Sequence, residues 1–186
     1  MKKIEGVKQL SNRKYINLFE ATYDVDGKKV SYDFVSRKDV AGDLHNTNVD
    51  AVRILPFIKD GNNIKVVLIK EFRYTINDYI YSTPAGLIDK NETPREAAIR
   101  EAKEEIGATI LNITDSFIGY PSVGLSNEII QCFDAEVKLD EKQKLDEIED
   151  ISVEIVDLKD IINFINTHNF CLQSSCLLSS FYYKNI

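Results

Sequence analysis

Gly86-Leu87-Ile88-Asp89-Lys90-Asn91-Glu92-Thr93-Pro94-Arg95-Glu96-Ala97-Ala98-Ile99-Arg100-Glu101-Ala102-Lys103-Glu104-Glu105-Ile106-Gly107-Ala108 carries its own start and stop signals. Thr93 is a capping residue, Pro94 suits the first helical position, and Glu96 completes a Thr-x-x-Glu capping box. Gly107 suits the left-handed position just past a helix end. The stretch therefore predicts a helix over 94–106, with Ala97, Ala98, Ala102 and Ile106 as its packing positions. Glu101 and Glu105 fall on one helical face, with Glu104 beside them. Like charges at that spacing, near the C-terminal end of a helix dipole, are destabilising unless a cation offsets them. Hard divalent cations prefer carboxylate oxygen, so this face is a candidate metal site; a solvated acidic face is the plainer reading of any single Glu-x-x-x-Glu pair.

The pattern is more than one pair. A glycine, a spacer, Glu92, a second spacer, then Arg100-Glu101-Ala102-Lys103-Glu104-Glu105-Ile106-Gly107-Ala108 resembles the Nudix box, the loop–helix–loop signature of the Nudix hydrolases. A chance match at average residue usage is on the order of one in a million for a chain of this length. Further landmarks make the chain similar to the ADP-ribose pyrophosphatase branch of that family. They are Lys70-Glu71-Phe72-Arg73, Pro84-Ala85-Gly86 leading into the box, Ser122 to Glu128, and Asp146-Glu147-Ile148-Glu149-Asp150-Ile151. Two positions depart from the branch: Val123 stands where it has a proline, and Ser82 where it often has glutamate.

The resemblance implies an α+β Nudix fold, an α/β/α sandwich around a mixed sheet. It implies hydrolysis of the pyrophosphate bond of ADP-ribose to AMP and ribose 5-phosphate, with Mg²⁺ as cofactor and Mn²⁺ as its substitute. Glu101 and Glu105, with the backbone carbonyl of Ala85, are the expected metal ligands, joined by Glu104 and Glu149. Glu147 is the expected general base, working with Glu101 and Glu105, while Arg100 and Glu92 orient these groups. On composition alone, Glu147 and Glu149 would be an acidic surface loop; a strand there would point both to one face. Arg73 is the candidate for gripping phosphate or ribose, with a strand-end salt bridge as the alternative, and Glu128 and Arg37 match substrate-site positions. Phe19 or Phe34 could stack on a base, although core packing accounts for either. A homodimer is implied, with each N-terminal β unit packed on the other chain. The alternatives are a pyrophosphatase for another nucleoside diphosphate sugar and a non-catalytic nucleotide-sugar sensor.

The whole chain is consistent with a small-molecule enzyme. It has 186 residues, 44% hydrophobic and 28% charged, with a net charge of −7. That charge disfavours duplex nucleic acid or an anionic membrane as the main partner. No stretch approaches the roughly 20 apolar residues of a membrane span, and Met1-Lys2-Lys3-Ile4-Glu5-Gly6 lacks a signal-peptide core. Three cysteines, Cys132, Cys171 and Cys176, show no metal-site spacing and read as reduced thiols of a cytoplasmic protein. With only His45 and His168, the chemistry must run on carboxylates.

Along the chain, residues 15–36 predict a hairpin about Asp26-Gly27, and 37–48 a polar linker. A β-hairpin dimerisation subdomain is expected over 1–44 and the Nudix domain over 45–186, with the box at 86–108. Strands are expected over 52–58, 64–72, 79–81, 110–120, 128–137 and 151–156. Helices are expected over 158–167 and 172–183.

Overall fold

The computed structural model describes residues 2–38, 40, 44 and 48–186, and the chain forms two compact units, Met1–Asp50 with Gly119–Ile130, and Ala51–Ile118 with Gln131–Ile186. The expected linker at 37–48 and the boundary at 44/45 fall largely outside the described residues, as does His45.

The first unit holds β1 (Lys2–Gln9), β2 (Asn17–Val25) and β3 (Lys28–Ser36), in that order across an antiparallel sheet. Asp26 and Gly27 both take positive φ, 54° and 80°, the conformation a tight hairpin demands. β1 was not legible as a strand: Lys-Lys-Ile-Glu-Gly-Val-Lys-Gln has only two large apolar residues, and its lysines suit an exposed sheet edge. Phe19 and Phe34 do not present a stacking surface to a ligand. They are buried with Ala21 and Val40 and stack on each other, ring centroids 5.6 Å apart. The Gly119–Ile130 segment belongs here because Tyr32 Oη donates to Gly124 O at 2.8 Å and Val35 N to Leu125 O at 2.9 Å.

The second unit is α+β, with helices on both faces of a mixed seven-stranded sheet. Its strands are β4 (Ala51–Asp60), β5 (Asn63–Arg73), β6 (Asp78–Ser82), β7 (Ala85–Leu87), β8 (Ala108–Gly119), β9 (Ile130–Leu139) and β10 (Ile151–Asp157). The order is β10-β5-β4-β9-β8, with β6 paired to β5 and β7 to β4. β9 starts two residues later than its apolar run suggests, because the Ile129 N–H is taken by Asp50 Oδ2 at 2.8 Å.

Side-chain alternation along the central strands explains the two faces. Val52, Ile54, Val67 and Ile69 pack with Ala97, Ala98, Ala102 and Ile106 of α1 (Pro94–Ile106). Leu55, Val66 and Leu68 face the other way, onto Ile161, Leu177 and Phe181 of α2 (Ile161–Thr167) and α3 (Leu172–Asn185). The expected helix at 158–167 opens as a 3₁₀ turn, Leu158–Asp160, before α2. No helix among the described residues is long and apolar enough to cross a membrane.

Candidate active site

The site is built on α1. Thr93 caps it as read: its hydroxyl accepts the Glu96 N–H at 3.3 Å, while the Glu96 carboxylate accepts the Thr93 N–H at 2.8 Å. Gly107 closes it at φ 61°, and its N–H donates to Lys103 O at 3.1 Å. A Cβ at Gly107 would lie 2.3 Å from the carbonyl oxygen of Glu141, so glycine is required there twice over. The chain after β9 docks on this helix end and satisfies its last carbonyls: Glu141 N donates to Gly107 O at 3.0 Å and Lys144 N to Glu104 O at 2.8 Å. Gln143 adds a bond to Glu105 O at 2.6 Å.

Glu101 and Glu105 are both buried, an uncommon state for a carboxylate. Glu105 Oε2 accepts the Ala85 N–H at 3.0 Å. Burial pushes the Glu105 carboxyl well above its usual range, and the charges of Glu101, Glu71 and Glu149 push the same way against the Ala85 hydrogen bond. Burial also raises Glu101, and its contact with Arg100 offsets this only in part. Glu101 occupies the space beside Gly86: a Cβ there would stand 1.8 Å from its Oε1.

Arg100 organises the opposite side. It donates through Nε and Nη2 to Glu92, both at 3.0 Å, and through Nη1 to Glu101 at 2.7 Å and Glu104 at 3.0 Å. Nη2 also donates to Leu87 O at 2.9 Å. One guanidinium thus fixes the loop before α1 and two carboxylates on it; Lys could not span this fork. Arg100 lowers the Glu92 carboxyl.

A cavity of about 340 Å³ opens at the Glu105–Ala85 contact, lined also by Glu71, Arg73, Tyr74 and Glu149 among others. The larger hollow of about 460 Å³ along the outer side of α1 has one carboxylate in its wall, Glu141, already paired with Lys103 at 2.9 Å. Arg73 lines the smaller cavity at the end of β5 and stands 2.9 Å from Glu71 Oε1. Glu71, buried and without a well-formed hydrogen bond to that oxygen, was not singled out as a site residue from sequence. Its signals were its place in the Lys70-Glu71-Phe72-Arg73 landmark and its position just past the apolar run Val66–Ile69 of β5.

Glu147 and Glu149 are not on a strand. Glu149 N donates to Asp146 O at 3.0 Å, and Glu149 Oε2 accepts the Asp146 N–H at 2.8 Å, closing a turn before β10 begins. The two carboxylates therefore do not share a strand face: Glu149 lines the cavity, whereas Glu147 is exposed at the turn and is not among the lining residues. In the first unit, Arg37 Nε donates to Glu128 Oε1 at 2.9 Å, bringing together two residues chosen separately from sequence.

Arg53 was also missed. It is buried, and Nη1 donates to Ser82 Oγ at 2.8 Å, Thr83 O at 2.9 Å and Ser174 Oγ at 2.7 Å, with no carboxylate among its hydrogen-bond partners. The signal was one arginine inside an apolar strand. Ser82, which departs from the resembled branch, is fully buried in this network.

The donor set suits a hard divalent cation. Carboxylates stand close to one another beside a backbone segment, and burial first, with their neighbours' negative charges second, raises their proton affinity. Among the described residues no three acidic, His or Cys side chains form a preassembled cage. Glu101 and Glu104 are turned onto Arg100, and Glu105 onto Ala85.

This fold and this carboxylate helix define a class, and the chain belongs to it: the NUDIX domain family matches residues 47–171. The chain is 35% identical to the ADP-ribose pyrophosphatase of Bacillus subtilis over 119 residues, 63% of each protein. It is 32% identical to the ADP-ribose pyrophosphatase of Saccharomyces cerevisiae over 143 residues, 74% of this chain and 60% of that protein. The matches thus span about three-fifths of the length of these relatives. A crystal structure of an ADP compounds hydrolase shares the fold, with a TM-score of 0.75 at 19% identity over 98% of this chain and 94% of the other.

Proposed function

We propose that the protein hydrolyses the pyrophosphate bond of ADP-ribose, giving AMP and ribose 5-phosphate, with Mg²⁺ or Mn²⁺ as cofactor. The observation that carries this reading is the pair of buried carboxylates, Glu101 and Glu105, interlocked with Ala85 and Gly86 beside the cavity. Glu101, Glu105 and the Ala85 carbonyl would hold the cation, with Glu104 and Glu149 as further ligands. A divalent ion there supplies charge neutralisation at the pyrophosphate oxygens and a more acidic water. Glu147 takes the proton of the attacking water, which its exposed position at the turn allows once substrate closes the cavity. Arg73 grips a phosphate or the ribose through its forked donors, exchanging its partner Glu71 for the anion. Arg100 and Glu92 hold the helix carboxylates in place. Arg37 and Glu128 contribute to substrate binding as a pair.

The protein acts in the cytoplasm as a homodimer whose N-terminal β subdomain, residues 1–44, packs on the second chain and serves the Nudix domain, 45–186. Exposed Ile4, Val30 and Tyr32 on that unit supply apolar surface for such packing. The substrate is a small nucleotide sugar and not nucleic acid, in keeping with the net charge of −7. Val123 in place of the branch's proline favours a second substrate, another nucleoside diphosphate sugar.

Incubating the protein with Mg²⁺ and ADP-ribose, ADP-glucose, UDP-glucose, GDP-mannose and dinucleotides, with identification of products, tests the reading. Release of AMP and ribose 5-phosphate is expected, and Glu147→Gln should remove most turnover with Mg²⁺ binding retained. Binding without cleavage of any compound would leave a nucleotide-sugar sensor.

A further inference from the structure

The acidic turn is held from outside by two tyrosines. Tyr74 Oη donates to Ile148 O at 3.1 Å, and Tyr79 Oη donates to Asp150 Oδ2. Phe72 N extends the β5–β10 pairing by donating to Asp150 O at 3.1 Å. Among the described residues, these three are the hydrogen bonds that reach residues 146–150 from outside the turn. The two phenols are braced on one ring: Phe72 stands edge-to-face with Tyr74 and Tyr79, centroids 5.2 and 5.3 Å away. The Asp150 acceptor is a carboxylate, so the Tyr79 bond is charge-assisted.

This arrangement contrasts with the turn itself, which is exposed from Asp146 to Asp150 and has no buried side chain to anchor it. The carboxylates on it need a fixed place relative to Glu105 and Arg73 across the cavity, and a 1 Å displacement is costly to a positioned reaction. We propose that Tyr74 and Tyr79 are positioning residues, a two-point clamp that fixes the turn carrying Glu147 and the cavity-lining Glu149. The inference rests on the reading of those two carboxylates as working groups. The clamp acts on the turn and not on substrate, so it governs turnover more than affinity. Each hydroxyl favours the docked turn by roughly two- to tenfold.

The experiment uses Tyr74→Phe, Tyr79→Phe and the double variant, which keep the ring packing on Phe72. Hydrogen–deuterium exchange over 144–151 in the metal-free protein is measured beside kcat and KM on whichever panel compound is cleaved. Expected are faster exchange confined to that segment, kcat lower by roughly two- to tenfold per hydroxyl, KM within about twofold, and an unmoved unfolding midpoint. Tyr79→Phe added to Asp150→Ala should cost nothing further, since both remove one bond. Unchanged exchange overturns the clamp, and so does lower kcat without faster exchange, which would place the phenols on substrate. If the wild-type protein cleaves nothing, the hydrolase reading falls, and exchange alone decides the clamp.

Discussion

Glu105 Oε2 accepts the backbone N–H of Ala85 at 3.0 Å, which ties the last turn of α1 to the three-residue strand β7. The next residue, Gly86, leaves the gap that Glu101 fills. Helix and strand are therefore interlocked through two acids. The same contacts hold the Ala85–Gly86 backbone against both carboxylates.

Gly86→Ala tests the interlock. Its φ is not in the left-handed region, so alanine strains no backbone there; the clash is with Glu101 Oε1, 1.8 Å from the new Cβ. That carboxylate is the end of a flexible side chain and can swing away. Stability measured by urea unfolding should change by about 1 kcal/mol or less. Mn²⁺ affinity measured by titration calorimetry should fall by roughly tenfold or more. Equal loss in both would mean that the gap matters for packing and not for ligation.

The raised carboxyls make stability pH-dependent in a definite sense. Glu105 and Glu101 have folded-state values above the ordinary 4.5, so their contribution is full below that pH and is lost as pH rises through their raised values. Glu92 runs the other way: Arg100 lowers it, and its contribution is present above pH 4.5 and lost as pH falls through the lowered value. The metal-free protein should be most resistant to urea in the mildly acid range and weaken toward neutral pH. Glu105→Gln should flatten the weakening limb. Mg²⁺ should restore the neutral-pH loss, because binding requires the deprotonated carboxylates. A parallel decline in wild type and Glu105→Gln would refute the assignment.

Much of this was readable because local chemistry decided it. Thr93, Pro94, Glu96 and Gly107 set both ends of α1 without help from the rest of the chain. Asp26-Gly27 set its hairpin in the same way. What escaped depends on partners distant in sequence. β1 is a polar strand that exists because β2 offers it an edge, and Arg53 is buried because Ser174, 121 residues away, meets it. The stretch before β10 is the acidic loop its composition implies, but its turn, made by Glu149 closing on Asp146, is not specified by composition. Glu71 meets the cavity, and Tyr74 and Tyr79 meet the acidic turn, only because β5, β6 and β10 stand side by side.

Arg100 reaches Glu92, Glu101, Glu104 and Leu87 O with three nitrogens. Arg100→Met should cost about 1–2 kcal/mol in urea unfolding, discounted for the guanidinium's partial exposure, because three carboxylates lose their common cation. Arg100→Lys should recover the charge but not the fork, and so regain less than half of that loss. Full recovery by lysine would show that net charge, and not geometry, holds the loop before α1.

Arg53 gives an inverted expectation. A buried guanidinium surrounded by hydroxyls and amides has no opposite charge to offset its desolvation, and its Nε has no acceptor. Its neighbours can satisfy one another without it: Ser174 Oγ lies 3.2 Å from Ser82 Oγ and 3.1 Å from Thr83 Oγ1. Arg53→Met keeps the length and removes the charge, and should shift unfolding free energy by no more than about 1 kcal/mol. Ser174→Ala should be worse, at about 1–3 kcal/mol, because it strips an acceptor from a buried cation and from the Thr83 N–H, which now donates to Ser174 Oγ at 3.0 Å. Urea midpoints of the two variants at one pH rank them directly. A larger loss in Arg53→Met than in Ser174→Ala would mean that the guanidinium stabilises the site despite its lack of an anion.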